Sequence, residues 1–213
     1  GDVPLSNVDM RSLLKDGTLQ SQLGLDDAAL VNRTTLMGIL AVRQALEDAQ
    51  VDGNLMIEKP MRLVLISGTT VAGMDVTENL FHQLQQSDDA LQCLKYHSAG
   101  SSTRMIADYF GIFTEYTTIS TACSSAANAL MLGARMLADG EADMVVAGGT
   151  EALSLFHLNG FNSLMILDHE PCRPFDATRA GLNLGEGAAL CVMETAAAAA
   201  RRGVEPHAWL VGY

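Results

Sequence analysis

A chain of 213 residues with 25 acidic against 13 basic side chains, net charge −12, is a poor partner for a nucleic-acid duplex or an anionic membrane surface. It is 48% hydrophobic and only 18% charged, yet no apolar run approaches the roughly 18 residues needed to span a bilayer. The apolar excess points instead to a tightly packed interior or an extensive subunit interface, with no nucleic acid and no membrane as partner.

Residues 1–33 are mixed in character, with turn signals such as Asp16-Gly17, and form a poorly defined N-terminal segment. From Thr34 to Leu46, apolar residues at 36, 39, 40, 42 and 46 predict an amphipathic helix ending near Gln50. Met61 to Ser67 reads as a buried strand closed by Gly68, and Asp75 to Gln86 as a polar helix. A further helix is predicted from about Ser102 to Phe110, ended by Gly111. Tyr116 to Ser120 is rich in β-branched residues and predicts a strand. Ser124 to Ala138 is apolar on almost every face, which predicts a helix buried inside a domain.

Asp143 to Gly149 predicts another strand leading into a glycine turn. Gly148-Gly149-Thr150-Glu151 lacks both phosphate-cradling glycine patterns and reads as a tight structural turn. Gly185-Glu186-Gly187 likewise reads as a turn in which close packing demands glycine. Residues 150–182 read as loop, with Pro171 and Pro174. Gly187 to Glu194 predicts a strand, Thr195 to Arg202 a short helix, and His207 to Tyr213 one more strand. Strands alternating with helices argue for a layered α/β domain.

The cysteines stand at 93, 123, 172 and 191 without a C-x-x-C pair, and the five histidines show no metal-ligand spacing. Reduced thiols in a cytoplasmic protein are expected, with no metal and no cofactor. Cys123 differs from the other three because it lies between a predicted strand and the first turn of a predicted helix. Helix N-termini present unpaired N–H groups and partial positive charge, a setting that favours a thiolate and can face the oxygen of a carbonyl under attack. A buried cysteine acting as a small hydrophobe is the plainer reading of those residues alone.

The segment Thr118-Ile119-Ser120-Thr121-Ala122-Cys123-Ser124-Ser125-Ala126 resembles the active-site segment of the β-ketoacyl-acyl-carrier-protein synthases, the condensing enzymes of the thiolase-like superfamily. Gly140 to Glu151 resembles their G-x-A-D-x-x-x-A-G-G-x-E stretch. Cys172-Arg173-Pro174-Phe175-Asp176, with Arg179, Gly181 and Gly185-Glu186-Gly187, resembles their R-P-F-D…R-x-G…G-E-G-A stretch. The three segments occur in the family's order and cover about residues 34–213.

The resemblance implies a thiolase-like layered αβαβα fold of which residues 34–213 are the N-terminal half, lacking its opening strand. It implies an acyltransferase in which Cys123 takes an acyl group from a thioester. Malonyl carrier protein then loses carbon dioxide and attacks that acyl group, giving a β-ketoacyl thioester for fatty-acid or polyketide-type elongation. It also implies that Phe161 lines the acyl pocket, that no cofactor takes part, and that the enzyme is a homodimer acting on acyl carrier protein. The family's catalytic histidines lie in H-G-T-G-T and G-H motifs, which none of the five histidines matches. Condensation is therefore expected only with a second half, whether segment or separate polypeptide. His157 reads as a loop or core histidine, and Cys93, Cys172 and Cys191 as inert thiols. A non-catalytic chain-length-factor-like partner subunit is the alternative, but in those subunits the nucleophile is replaced. A thiolase or chalcone-synthase relative fits the R-P-F-D…G-E-G run poorly.

Overall fold

The computed structural model describes residues 18–23, 31–51, 61–84 and 94–213. Its described elements run in chain order as α1 (Thr18–Leu23), α2 (Arg33–Asp48), β1 (Leu63–Gly68), α3 (Met74–Leu84), α4 (Ala99–Phe110), β2 (Glu115–Ile119), α5 (Ser125–Ala138), β3 (Met144–Glu151), α6 (Leu155–Ser163), β4 (Gly187–Glu194) and α7 (Ala196–Arg202). The four strands form one sheet in the order β2-β1-β3-β4. β1 pairs parallel with β2 and with β3, and β4 runs antiparallel to β3. Parallel strands need helical crossovers, and these cover both faces of the sheet.

Alternation along the central strands divides the core. Leu63 and Leu65 of β1, with Met144 and Val146 of β3, face α2 and α4, where Leu36, Ile39, Val42 and Ile106 are buried. Val64 and Ile66, with Val145 and Ala147, face α5 and pack around Ala129. Each of the Leu, Ile, Val and Met side chains among these, fully buried, contributes roughly 1.5–3 kcal/mol. Leu19 of α1 joins the first cluster, so the segment that read as undefined supplies core to the domain. The result is a helix–sheet–helix sandwich, the mixed α/β fold expected from the sequence.

The caps are legible in the residues. Asn32 caps α2 by accepting the Thr35 N–H at 2.8 Å, and Gly111 ends α4 in the left-handed region at φ 62°. α4 starts at Ala99, ahead of the predicted Ser102.

Several expectations are corrected. α5 is not enclosed: among its residues only Ser125, Ala129 and Gly133, spaced four apart, are buried against the sheet. Small residues on that stripe bring the helix close; Leu130, Leu132, Met136 and Leu137 are only partly buried against the same core, and Met131 is exposed. Residues 150–182 are not all loop, because Leu155–Ser163 forms α6. Gly148 to Glu151 is not a turn but the continuation of β3, paired with Gly187 to Leu190 of β4. A Cβ on Gly148 would lie 2.1 Å from the Ala189 carbonyl oxygen, so strand pairing requires the glycine there. Gly185 and Gly187 face open space rather than a close neighbour. Residues 207–213 adopt no strand.

Candidate active site

The turn between β2 and α5 holds Cys123. Ala122, immediately before it, has φ 52°, a left-handed backbone that a non-glycine residue adopts only when its surroundings enforce it. The enforcing contacts come from the helix itself. Ser125 Oγ donates to the Ala122 carbonyl at 2.7 Å and accepts the Thr121 N–H at 2.9 Å. Ser124 Oγ donates to the Thr121 carbonyl at 2.8 Å, and Asn128 Nδ2 donates to Thr121 Oγ1 at 2.8 Å. The tight turn leaves Cys123 exposed at the start of α5.

The first turn of α5 rests on the strand ends by backbone contact. A Cβ on Gly68 would lie 2.5 Å from the Ser125 carbonyl carbon and 2.6 Å from the Ala126 nitrogen. A Cβ on Gly149 would lie 2.8 Å from the Ala126 Cβ. These two glycines seat the helix that carries the thiol.

Cys123 opens onto a cleft of about 480 Å³. Its floor is formed by Ala126 and Gly149, and its walls include Leu153, Phe156, Phe161, Leu184 and Ala189. Cys123 and Phe161, 38 positions apart in the chain, thus line one mainly apolar space. His157 also lines it, half-buried beside the Phe156 ring at 6.3 Å, rather than lying in the core. Cys172 and Cys191 are exposed but lie outside this cleft, and Cys93 falls outside the described residues.

Two carboxylates shape the rim. Glu151 accepts the Thr69 hydroxyl at 3.0 Å and the backbone N–H groups of Thr70 and Val71 at 2.5 and 3.2 Å. It thereby fixes the loop after β1, in which Ala72 also has a left-handed φ of 42°. Glu186, its side chain 5% exposed, accepts from Arg33 Nε at 2.7 Å and from the Leu153 N–H at 3.2 Å. Burial alone would raise the Glu186 carboxyl. The bonds from Arg33 and Leu153 outweigh it and hold the group below its ordinary range. Asp75 is the opposite case, pushed up chiefly by burial although it accepts the Arg33 N–H at 2.9 Å.

Both residues that the sequence singled out, Cys123 and Phe161, line the cleft; Glu151, Leu153, Phe156 and Leu184 line it too and were not expected there. Glu151 had a readable signal, a carboxylate closing a strand beside two glycines. The others meet only through tertiary packing.

Residues 19–199 match the family described as "Beta-ketoacyl synthase, N-terminal domain". The ketoacyl synthase alpha subunit of the tetracenomycin polyketide synthase from Streptomyces glaucescens is 31% identical over 87% of this chain and 47% of its own length. The 3-oxoacyl-[acyl-carrier-protein] synthase 2 of Staphylococcus aureus is 27% identical over 97% of this chain and 53% of its own. This chain spans about half the length of the curated relatives it matches.

Among solved structures, the ishigamide ketosynthase/chain length factor superposes with a TM-score of 0.74 at 26% identity, over 83% of this chain and 45% of that one. A ketosynthase in complex with its chain length factor from Xenorhabdus doucetiae gives 0.64 at 27% identity, over 79% and 43%. A β-ketoacyl synthase from Burkholderia phymatum, 24% identical over 83% and 45% with a TM-score of 0.72, shares the fold. With its family match covering most of the chain and its fold that of the ketosynthases, this chain belongs to the β-ketoacyl synthase family of condensing enzymes.

Proposed function

We propose that Cys123 is the acyl-accepting nucleophile of a 3-oxoacyl-acyl-carrier-protein synthase. The observation that carries the reading is a thiol on a tight turn at a helix N-terminus, opening onto an apolar cleft that also contains Phe161. Cys123 Sγ attacks the thioester carbonyl, and the N–H groups of the first turn of α5 offer partial positive charge to the oxygen as it becomes negative. The tetrahedral intermediate collapses, the carrier thiol leaves with a proton, and the acyl group rests on Sγ with its chain along Phe161.

Condensation is the second half-reaction. Malonyl carrier protein releases carbon dioxide, the resulting carbanion attacks the acyl carbon, and the Cys123 thiolate departs. The histidines that would support this step belong, on the family pattern, to a second half, with which this chain works. The acidic surface of the chain favours carrier docking on other, more basic parts of the assembly. A chain-length-factor role is the second reading. The presence of Cys123 favours catalysis over it.

The test is acyl-enzyme mass and carbon dioxide release on the assembled enzyme. Cys123→Ala abolishes acylation while retaining slow malonyl decarboxylation, and Cys123→Ser keeps at most a trace of transfer. Product formed by the alanine variant at the wild-type rate would show that another group is the nucleophile.

A further inference from the structure

Helix α6 delivers three side chains, Phe156, His157 and Phe161, to the cleft opposite Cys123. It does so without a core of its own. None of its nine residues is buried, and Leu155, Phe156 and Leu158 are exposed. Hydrophobic packing within this chain therefore does little to set its position, and polar contacts at its N-terminus must do more. Ser154 Oγ accepts the His157 N–H at 3.2 Å, a contact internal to the helix cap. A contact that ties α6 to another element is made by Glu78, one turn into α3, whose two carboxylate oxygens accept the Leu155 N–H at 2.8 Å and the Phe156 N–H at 3.1 Å. α3 is also the element α6 lies against.

We propose that Glu78 is a positioning residue that sets the aromatic wall of the cleft, and through it the preference for acyl chains of different length. Both N–H groups are orphan donors of the helix start, and a carboxylate satisfies two of them while matching the positive end of the helix dipole. Because the two acceptor oxygens sit on one rigid carboxylate, they fix the direction of the helix axis as well as its place. Glu78 itself does not line the cleft, so its effect runs through Phe156 and Phe161. The proposal rests on the reading of Cys123 as the acyl acceptor only for its consequence in acyl selection.

The test separates the two. Full-length protein is treated with N-alkylmaleimides of increasing chain length, and modification of Cys123 is followed by peptide mass. The readout is the rate with a long-chain reagent divided by the rate with N-ethylmaleimide. Glu78→Gln keeps the shape but loses the charge and one acceptor, and is expected to change this ratio by about fivefold. Glu78→Asp, which restores the charge at a shorter reach, recovers part of it.

Leu155→Pro provides an arm that leaves Glu78 intact. Position 155 is the first of the helix, where proline is tolerated, and the extended Ser154 before it (φ −133°, ψ 155°) suits a following proline. It deletes one N–H donor and is expected to shift the ratio in the same direction, by less. Ratios unchanged in both Glu78→Gln and Leu155→Pro overturn the proposal, whatever their melting temperatures do. Failure of the acyl-transfer reading would appear separately, as absence of an acyl-Cys123 adduct in the wild-type protein.

Discussion

Three described cysteines are exposed, so exposure alone does not rank their reactivity. What separates Cys123 is position: it alone stands at the start of a helix whose first-turn N–H groups favour negative charge, whereas Cys191 lies within β4 and Cys172 in a loop. Iodoacetamide is therefore expected to modify Cys123 first in the folded protein, and peptide mapping that finds Cys172 or Cys191 labelled earlier contradicts the assignment. A second residue-scale prediction concerns the Arg33–Glu186 pair. The folded-state value of Glu186 lies below the unfolded one, so its stabilisation is complete above the ordinary carboxylate value of about 4.3 and is lost as pH falls through the depressed value. Arg33→Met leaves a carboxylate with burial but without its main partner. The variant is expected to lose about 2 kcal/mol at pH 7, less than for a wholly enclosed pair because Arg33 is partly exposed. The deficit shrinks on acidification, as protonation removes the unpaired charge, and denaturant titrations at pH 7 and pH 4 measure it. A deficit that grows toward acid would overturn this account.

At the scale of elements, the backbone seat of α5 on Gly68 is the sharpest test. A methyl group at Gly68 meets main-chain atoms of Ser125 and Ala126 that cannot rotate away. Gly68→Ala is expected to cost about 2 kcal/mol and to slow acylation of Cys123 further than that loss of stability alone explains. Chemical denaturation and acyl-enzyme mass measure the two. Elements with a strong period were readable in advance. β1 is buried throughout, and apolar from Leu63 to Ile66, because it is central and covered on both faces, and α2 carries a clear buried stripe. α6 was missed because it has no buried stripe to create a period; it is held by its caps, and Ser154 three residues before His157 was the one signal present. The strand expected from His207 to Tyr213 finds no ladder partner among the described residues, and propensity alone makes no strand. α5 read as enclosed because its sequence is apolar all round, which states what the helix needs covered and not what covers it within this chain. The candidate site was legible where a motif lies along the chain, as at Cys123. It was not legible where the cleft is assembled from separate stretches, as at Leu153 and Leu184.

At the scale of the whole molecule, the exposed apolar side chains are the dominant feature. Phe175 is 99% exposed and Met165 90%, both on left-handed backbones, and Leu155, Leu164, Trp209 and Val211 are exposed as well. Soluble monomers rarely leave contiguous apolar patches beyond a few hundred Å² uncovered. The chain is therefore expected to occur in a larger assembly, with a second half and a second copy as the proposed occupants. Phe175→Ser should weaken that assembly while leaving the unfolding of this domain nearly unchanged, because Phe175 makes no core contact to lose. Sedimentation of a stable, monodisperse 22.7 kDa species would contradict the expectation. The glycine seat under α5 has one more consequence, for how such a protein changes over time. The proposed nucleophile is placed by a helix whose main chain rests on the main chain at Gly68, while the walls of the cleft include side chains such as Leu153, Phe156 and Leu184. Substrate range can thus drift through Leu153, Phe156 and Leu184 without disturbing the thiol, and a library randomised at those three positions should vary in acyl preference while sharing one rate of reaction with iodoacetamide.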